Sequence, residues 1–565
     1  MPNPTPSRRH RVLATATITA LSLGLLTACS SSGSGSSGSS KAPASTVLNI
    51  GMPQGATMTN NNNPLLPTSA AAQLGYRYMV YEPIAMWNQV KPAETPRPWL
   101  AEKIEWADNY KKLTLTARAG VKFSDGTPMT AADLAYAFQL MKDHKALNGS
   151  ALPIADATVQ GDRAVITFTS SQFVRQASVL STLVVPKHLW STIPDPTTDT
   201  VAKPVGTGPY TLKSFTPQTV TLTVREGYWQ DAPKVAELRY TTYSGNDAVT
   251  AALASGALEW TYAFLPDARK LYQDKDPEHH KLWFPPNLSA DGLWINTTLK
   301  PFDNPVLRRA MSMVVDRDDI FNLAEAGYFK PMVDSITGLP TPAGDAFIAP
   351  EYKGKKATGD TATAKKLLTD SGFTYRGTDL VDPAGKPVAL TLTDPAGWGD
   401  YQTALTIIAD NLKAIGIKAS IDKADQNAWE SNIASGNFQA AMRWSNGGAT
   451  PYDFYKDVMD GAALKPIGRA ATGNYGRFDS PQATKALEDY ANAADDAART
   501  GALNTLQKVF AEQTPMIPTS AGNLGAEYST RHWIGWPDAA DPYAPIQPSQ
   551  TTALDVVLHL KPADH

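Results

Sequence analysis

The sequence predicts an α/β protein with more than one lobe, and three observations support this prediction. The chain has 565 residues, which is too long for a single hydrophobic core. Strand and helix patterns alternate over residues 388–442, as is typical of an α/β lobe with crossover connections. A strand, a turn and a capped helix follow one another over residues 112–141. We therefore expect several packed units that combine sheets and helices.

The first 29 residues have the pattern of an export signal that ends in a lipid-attachment site. Three arginines within residues 8–11 precede an apolar run, residues 12–26, which is too short to span a bilayer comfortably. The sequence Leu-Thr-Ala-Cys then ends at Cys29 and fits the lipobox of bacterial lipoproteins. We predict a lipoprotein signal peptide at residues 1–28 and acyl chains on Cys29, which would anchor the mature protein to the outer face of the cell membrane. The serine- and glycine-rich residues 29–45 are predicted to form a flexible tether.

Composition argues against several classes of function. Cys29 is the only cysteine, so we expect no disulfide and no cysteine-ligated metal in the exported body. The formal net charge is −3, which leaves no broad basic field for nucleic acid. The pair His279-His280 lacks further ligands at a suitable spacing, and we predict neither a metal nor a cofactor. After Cys29 no apolar run is long enough for a membrane span, so the lipid anchor is the only membrane attachment predicted.

Periodicity and turn residues predict the elements of the first half of the chain. Residues 112–117 alternate between apolar and polar, which predicts a half-buried strand. Thr130 and Asp133 have the spacing of a helix capping box. The remaining predictions are strands at residues 47–50 and 220–224, a helix at residues 70–81, and a hairpin over residues 159–168 around Gly161-Asp162.

In the second half, aspartates mark the expected starts of helices. Asp303 is placed to cap a helix that runs to residue 315, and Asp316 to begin the next one. Asp360 is placed to cap a helix over residues 361–371 that ends at Gly372. Strands are predicted at residues 388–392, 417–421 and 438–442, and helices at residues 401–415, 482–494 and 498–510.

Several motifs, taken together, resemble one protein family. Residues 120–130 read Gly-Val-Lys-Phe-Ser-Asp-Gly-Thr-Pro-Met-Thr and are followed by Asp133. This stretch resembles the signature of family 5 extracellular solute-binding proteins, the dipeptide- and oligopeptide-receptor type of bacterial ABC importers. Residues 205–210, the pair Tyr228-Trp229, residues 301–305 and residues 414–417 are similar to the same family. The matches follow in order from about residue 100 to residue 518.

The resemblance implies a fold and a domain order. The fold is two-lobed and periplasmic-binding-protein-like (type II), with an extra inserted domain and a cleft that closes on the ligand. Lobe I is expected to combine residues 46–86, 200–291 and 519–565, with the small domain inserted at residues 87–199 and lobe III at residues 292–518. The implied function is that of an ABC-importer receptor outside the membrane, a non-enzyme that delivers a solute to permease and ATPase subunits. We expect a monomer.

The resemblance also places the candidate ligand site. Residues 438–455 run along the cleft in this family, and the residues after Trp444 lend backbone hydrogen bonds to an extended ligand. Trp398 and Trp429 offer flat apolar faces in or next to loops, although a tryptophan is more often a core residue than a ligand contact. The full set of candidate ligand-binding residues is Phe264, Trp294, Trp398, Trp429, Trp444, Ser445, Asn446 and Gly447.

One departure from the family pattern bears on the ligand class. Many peptide receptors carry, at the position of Gly447, an aspartate that holds the α-amino group of the ligand. A buried ammonium without an anionic partner is strongly disfavoured, whereas a neutral ligand avoids this cost. The family default is therefore an oligopeptide, while Gly447 favours a neutral oligosaccharide. Asp400 or Asp453 remains open as a carboxylate that takes an amine from another direction.

Two other classes of function remain as alternatives. A sensory lipoprotein would bind a ligand in the same way but signal to a membrane partner, and a neighbouring sensor-kinase gene would favour it over import. A surface glycoside hydrolase needs only a suitable pair of carboxylates, which many chains contain. The sequence has no Gly-x-Ser-x-Gly, His-Glu-x-x-His or phosphate-loop motif, and the ordered family resemblance argues against an enzyme.

Overall fold

The structure is a computed structural model that describes residues 46–55, 57–396 and 398–563. The predicted signal peptide (residues 1–28), Cys29 and the rest of the predicted tether up to residue 45 lie outside the described residues. Within the described part, none of the helices combines the length and the apolar character that crossing a membrane requires.

A seven-stranded sheet collects strands from both ends of the sequence. The strand Val47–Met52 lies in its centre and pairs in parallel with Glu237–Thr242 and with Trp260–Thr261. All other pairings in this sheet are antiparallel. The strand order is His280–Trp283, Ala526–Ser529, Trp260–Thr261, Val47–Met52, Glu237–Thr242, Thr219–Val224 and Tyr210–Phe215.

A second, five-stranded sheet has apolar clusters on both faces. Ala389–Pro395 pairs in parallel with its two neighbours, while Pro286–Ile295 pairs antiparallel with its own two. Leu293, Leu392 and Met442 face one apolar cluster, whereas Trp294 and Ala441 face the other, as expected for alternating strand residues. The strand order is Lys418–Ala424, Ala389–Pro395, Ala440–Trp444, Pro286–Ile295 and Met516–Asn523.

Two short connections join these sheets side by side. The chain passes from Trp283 to Pro286 on the way out and from Asn523 to Ala526 on the way back. The Leu524 N–H donates a hydrogen bond of 3.0 Å to the Pro285 carbonyl, which ties the two connections together. The predicted lobe and domain limits stay predictions. The strands Pro286–Ile295 and Met516–Asn523 run across the limits predicted at residues 291 and 518.

A smaller, antiparallel four-stranded sheet lies between residues 101 and 168. Its strand order is Ala101–Ala107, Lys112–Ala117, Arg163–Phe168 and Ile154–Gln160. The helix Ala131–Asp143 packs on it through Leu134, Phe138 and Met141, which are buried. Three two-stranded pairs complete the strands: Ala85–Met86 with Arg97–Pro98, Thr374–Arg376 with Asp379–Val381, and Trp533–Ile534 with Lys561–Pro562.

Helices cover and connect the sheets. The longer ones are Ala131–Asp143, Asn246–Ala254, Pro305–Val314, Thr361–Asp370, Gly399–Lys413, Gln426–Ser435, Tyr452–Met459, Pro481–Asn492, Asp496–Gln513 and Ala553–His559. Short α-helices are Ala70–Gln73, Arg77–Val80, Gln176–Leu180, Lys187–Trp190, Ala268–Leu271 and Arg317–Asp319, and Ile320–Ala324 continues the last of these as a π-helix. Single 3₁₀ turns lie at Lys145–Leu147, Phe173–Arg175, Gln273–Lys275, Pro350–Tyr352 and Gly461–Ala463.

Several local predictions are confirmed. The Thr130 N–H donates to the Asp133 carboxylate (2.9 Å) and the Thr130 hydroxyl accepts from the helix, so the capping box is present. The Asp360 carboxylate accepts the Thr363 N–H at 2.7 Å and begins the helix Thr361–Asp370. Gly372 follows that helix with a φ of +88°, which a glycine tolerates without strain. Most of the other predicted strands and helices are present with ends shifted by a few residues.

Two predictions are wrong, each for a local reason. The helix predicted at residues 70–81 is two short helices, because Gly75 between them has a φ of +87° and its backbone packs against Pro548 and Ser549. Asp303 does not cap its helix. Pro305 occupies the first helical turn, which makes Asn304 the N-cap, and the Asp303 carboxylate instead contacts Lys300.

Candidate functional site

The three tryptophans proposed from the sequence meet at one end of the five-stranded sheet. Trp398 precedes the helix Gly399–Lys413, Trp429 lies in the first turn of Gln426–Ser435, and Trp444 ends the strand Ala440–Trp444. The ring centroids are 5.7 Å apart for Trp398 and Trp429, 5.8 Å for Trp429 and Trp444, and 6.0 Å for Trp398 and Trp444. We call these three residues the tryptophan cluster.

The members of the tryptophan cluster differ in their exposure. Trp429 is fully buried, and its indole N–H is buried without a hydrogen-bond partner among the described residues. Trp398 is half-buried, whereas Trp444 is 36% exposed. Trp398 and Trp444 are therefore the members that can present a ring surface to a solute, and the buried Trp429 packs against both.

Arg443 contacts the rings of both Trp444 and Tyr475. The guanidinium carbon lies 4.6 Å from the Trp444 ring centroid and 4.1 Å from that of Tyr475. Such cation–π contacts hold a planar guanidinium in place and contribute about 0.5–2 kcal/mol. The Arg443 carbonyl accepts the indole N–H of Trp294 at 3.1 Å. Trp294 itself is fully buried among apolar residues and presents no face to solvent, so it supports the strand from the core.

The loop after Trp444 is held against the strand Pro286–Ile295. The Ser445 N–H donates to the Ala290 carbonyl (2.8 Å), and the Ala290 N–H donates to the Ser445 hydroxyl (2.9 Å). The Asn446 N–H donates to the Asp457 carboxylate at 2.8 Å, while the Asn446 residue remains exposed. Ser445 is thus a buried positioning residue, whereas Asn446 lies at the surface and its side chain also interacts with the Asp457 carboxylate.

Gly447 lies too close to the neighbouring strand to carry a side chain. A Cβ atom built on Gly447 would lie 2.8 Å from the backbone nitrogen of Ser289 and 2.9 Å from its Cβ. Real Cβ contacts are longer than this, so an aspartate at this position requires a shift of the backbone. The absence of the family's aspartate therefore matches the local packing of this chain.

A buried ion network lies beside the tryptophan cluster. The Lys330 ammonium contacts the Asp291 carboxylate at 2.8 Å and the Asp400 carboxylate at 3.3 Å, and the Tyr401 hydroxyl donates to Asp291 at 2.9 Å. Burial opposes the charge on Lys330, but Asp291, Tyr401, Glu325 and Asp400 together outweigh this effect and hold the pKa of Lys330 well above its ordinary value. Asp400 is therefore committed to Lys330 and does not offer an unpaired charge to a ligand.

The same network links the tryptophan cluster to Phe264. The Tyr401 ring lies 5.4 Å from Trp398, and the Lys330 ammonium lies 5.1 Å from the Tyr401 ring and 5.8 Å from that of Phe329. Phe264 is half-buried and packs edge-on against Phe329 at 5.2 Å. Sequence reasoning missed Lys330, Asp291 and Tyr401, since nothing in their local sequence marks residues so distant from one another as neighbours.

A polar cavity of about 700 Å³ opens next to Asn446 and Gly447. One wall comes from the segment 149–178 and contributes Ser150, Arg175 and Ser178. The opposite wall contains Asn446, Gly447, Gly448, Asp453, Lys456, Asp457 and Asp460. Burial raises the pKa of both Asp453 and Asp457 to about 6. Among the described residues, no group of three His, Cys, Asp or Glu side chains is arranged to hold a metal.

The fold defines the class of protein to which these features belong. Its two sheets, joined by paired connections, are those of two-lobed type II periplasmic binding proteins. An oligopeptide ABC transporter periplasmic oligopeptide-binding protein from Thermotoga maritima has a TM-score of 0.79 and 24% identity, covering 92% of this chain and 99% of that chain. Another structure of that protein, with mannohexaose bound, has a TM-score of 0.69 at the same coverage and identity.

The family follows from the sequence match. Residues 95–463 match the family described as bacterial extracellular solute-binding proteins, family 5 Middle, and the chain therefore belongs to family 5. A probable peptide-binding protein, YejA, from Agrobacterium fabrum is 24% identical over 482 residues, 74% of this chain and 76% of the relative. A glutathione-binding protein, GsiB, from Salmonella choleraesuis is 26% identical over 463 residues, 77% of this chain and 83% of the relative. Members of this family are extracytoplasmic solute-binding proteins that work with ABC permeases.

Proposed function

We propose that this chain is the receptor of an ABC importer that captures an extended solute, an oligosaccharide or an oligopeptide, between its two lobes. The convergence of Trp398, Trp429 and Trp444 at one end of the five-stranded sheet carries the proposal. Ligand sites tend to lie between lobes and to combine aromatic surface with a few placed polar groups. Trp444, the Asn446 side chain and the cavity beside Gly447 offer this combination.

Lobe closure would couple capture to delivery. A ligand drives closure only by binding the closed form more tightly than the open one. The two connections between the sheets are each two residues long, and a close contact of Gly525 with the Phe284 ring leaves no room there for a larger side chain. These connections are the natural place for a hinge, and the permease would recognise the closed arrangement of the lobes.

Two ligand classes follow from different observations. Gly447 favours a neutral oligosaccharide, because the packing against Ser289 excludes the carboxylate that would hold a peptide amine at that position. The mannohexaose-bound relative from Thermotoga maritima supports this class. The peptide- and glutathione-binding relatives support an amine-bearing ligand, and Asp453 in the adjacent cavity is the residue of this chain that favours it.

Thermal-shift screening tests the proposal with mannohexaose and short peptides in parallel. A solute that binds the folded chain raises Tm by mass action. We expect at least one extended solute to raise Tm. In Trp444→Ala the affinity for this solute should fall at least about tenfold, because an aromatic stacking contact is lost. Ile534→Ala is the matched control, since Ile534 is an exposed apolar residue on the pair Trp533–Ile534, away from the cluster. Equal loss of affinity in both variants would contradict the proposed site.

We also propose that Cys29 carries the lipid anchor and that the chain acts as a monomer at the outer face of the membrane. The lipobox-like sequence before Cys29 supports the anchor. Cys29→Ser should release the protein into the soluble fraction and abolish labelling by radioactive palmitate. Labelling that persists in this variant would contradict the assignment. Sedimentation of the mature chain with and without ligand tests the monomer.

A further inference from the structure

The apolar clusters divide the molecule into two packed bodies. One cluster contains residues of both the seven-stranded and the four-stranded sheet, such as Leu48 and Leu115, and we call this unit the first body. The five-stranded sheet packs against two other clusters, and we call this unit the second body. The chain passes from one body to the other at the two connections next to Pro285 and Leu524.

Phe173 belongs by sequence to the first body but packs on the second. It begins the turn Phe173–Arg175, which follows the strand Arg163–Phe168 of the four-stranded sheet. Phe173 and Val174 are half-buried against the apolar cluster of the second body to which Tyr490 belongs. The Phe173 ring meets the Tyr490 ring edge-on, with centroids 5.6 Å apart. The two bodies therefore touch at a place other than their covalent connections.

Arg499 of the second body completes this contact. Its guanidinium carbon lies 3.8 Å from the centroid of the Phe173 ring and 5.3 Å from that of Tyr110, and both rings come from the first body. The Arg499 side chain is 8% exposed, and its Nε is buried without a hydrogen-bond partner among the described residues. Its other two nitrogens donate within the second body, to Asp496 (2.9 Å) and to the Ala493 carbonyl (2.7 Å). The Phe173 ring thus takes the place of water against this cation.

The contact adjoins the polar cavity beside Gly447. Tyr490 stacks on Tyr452, with ring centroids 6.0 Å apart and planes 14° apart. Tyr452 lines the wall of the cavity that belongs to the second body, and Val174 lines the wall that belongs to the first. Because Val174 follows Phe173 directly, the two walls separate only when Phe173 leaves the second body.

We propose that Tyr110, Phe173, Tyr490 and Arg499 form a clasp that holds the two bodies together in the absence of a solute. Edge-on aromatic and cation–π contacts are favourable, and the latter are strongest where water is excluded. Breaking the clasp also exposes apolar ring faces to water. By favouring the closed form, the clasp raises the apparent affinity for any solute that this form holds. This last consequence rests on the proposed receptor function.

A fixed interface is the simpler role for these residues. If the two bodies never separate, the contact contributes to stability alone. Removal of the Phe173 ring would then lower the free energy of unfolding and leave the arrangement of the bodies unchanged. The two roles therefore differ in the shape of the unliganded chain.

Small-angle X-ray scattering of the unliganded mature chain tests the clasp. We expect the wild-type curve to match the arrangement of this structure. Phe173→Lys places an ammonium against the Arg499 guanidinium, so the radius of gyration should rise by about 1 Å from the roughly 24 Å typical of a chain of this length. Phe173→Ala removes the ring alone and should give a smaller rise. Phe215→Ala is the matched control, because Phe215 is also half-buried but packs within the first body.

Chemical cross-linking gives a second measurement. Beside the clasp, the Asn109 side-chain amide donates to the Asn492 carbonyl at 2.9 Å, and both residues are exposed. Cys29 is the only cysteine of the sequence, so Asn109→Cys and Asn492→Cys in a Cys29→Ser background supply a single reactive pair. A short bismaleimide should join this pair without any solute. Adding Phe173→Lys should lower the initial rate of cross-linking at least about fivefold, and adding Phe215→Ala should not change it.

Three results would overturn the inference. They are a wild-type curve that requires separated bodies, a Phe173→Lys variant that keeps the wild-type radius of gyration and cross-linking rate, and equal changes in Phe215→Ala. Phe173→Ala carries the test if the lysine prevents folding. Neither measurement uses a solute, so a clasp that fails leaves the receptor function standing. A confirmed clasp in a chain that binds no extended solute would leave only the receptor function wrong.

Discussion

Two carboxylates in different parts of the molecule have opposite surroundings. Glu82 is fully buried and accepts hydrogen bonds from Trp99 (2.8 Å), Tyr228 (2.7 Å) and Trp229 (3.0 Å). Asp453 is half-buried in the wall of a cavity, and no donor of the described residues reaches it. Burial raises the pKa of both groups, but only for Glu82 do hydrogen-bond donors oppose this shift.

The difference separates a structural carboxylate from a candidate binding residue. The donors of Glu82 come from Trp99 and from the Tyr228-Trp229 pair, so the carboxylate joins distant parts of the chain into one packed unit. Such a fully satisfied network contributes to stability and leaves no capacity for a ligand. Asp453 has that capacity, and the absence of local donors costs stability until a ligand supplies them.

The largest expected effect is at Glu82. Glu82→Ala removes the acceptor of three buried donors and leaves a cavity, so we expect the free energy of unfolding to fall by about 3–5 kcal/mol. Urea denaturation of the mature chain measures this change. Glu105→Ala is the control, since the ion pair of Glu105 with Lys103 is exposed and should contribute little to stability. A loss below about 1 kcal/mol in Glu82→Ala would remove the contrast with Asp453.

Asp453→Asn should raise the free energy of unfolding, whereas Glu82→Ala should lower it. The pKa of Asp453 is raised to about 6 in the folded chain, so the folded chain holds this proton more tightly than the unfolded chain does. Wild-type stability is therefore lost as the pH rises from about 4 to about 6, and Asn avoids this loss. We expect the variant to be more stable by about 1–3 kcal/mol at pH 7.5 and equal to wild type below pH 4.

Urea denaturation of Asp453→Asn and wild type over a series of pH values measures this difference in stability. Asp457, Asp460, Lys456 and Arg175 face the same cavity and are present in both proteins, so their own titration largely cancels in the difference. A variant that is less stable than wild type at pH 7.5 would show that Asp453 acts through the helix N-terminus. In that case Asp453, like Glu82, would be a stabilising carboxylate, and the contrast between the two would not hold.

Restoring the family's aspartate at Gly447 tests whether position alone decides function. In Gly447→Asp the new Cβ atom meets the Ser289 backbone, and we expect a loss of about 2 kcal/mol in stability. We also expect no gain in affinity for tetra-alanine, measured by titration calorimetry. Gly501→Asp is the control, because a side chain at residue 501 meets open space. A tighter complex with tetra-alanine would show that the loop near Ser289 adapts.

The smallest effect concerns a single donor of Glu82. Tyr228→Phe removes the hydroxyl that donates to the Glu82 carboxylate at 2.7 Å and leaves the two indole donors in place. We expect a loss of about 1–1.5 kcal/mol in urea denaturation. Tyr543→Phe, which removes an exposed hydrogen bond to the Gly535 carbonyl, should cost less. Equal losses would indicate that the buried carboxylate gains nothing from this donor.

Local patterns in the sequence predicted most elements, because their causes lie within a few residues. The capping box of Thr130 and Asp133 and the N-cap at Asp360 depend on side chains three residues from the groups they bind. The prediction of one continuous helix over residues 70–81 was wrong because the cause of the interruption lies far away in the sequence. Gly75 takes a left-handed conformation because of contacts with Pro548 and Ser549, far away in the sequence.

The sequence alone established the family resemblance, the α/β class, and the candidate set of tryptophans and carboxylates. Only the tertiary structure decided which members of that set are available. It buries Trp294 and Trp429, leaves Trp444 exposed and pairs Asp400 with Lys330, whereas Asp453 has no hydrogen-bond or ion-pair partner among the residues that the structure describes. The physical reason is that burial and ion pairing depend on groups many residues apart, such as Lys330 and Asp400, which no local pattern brings together.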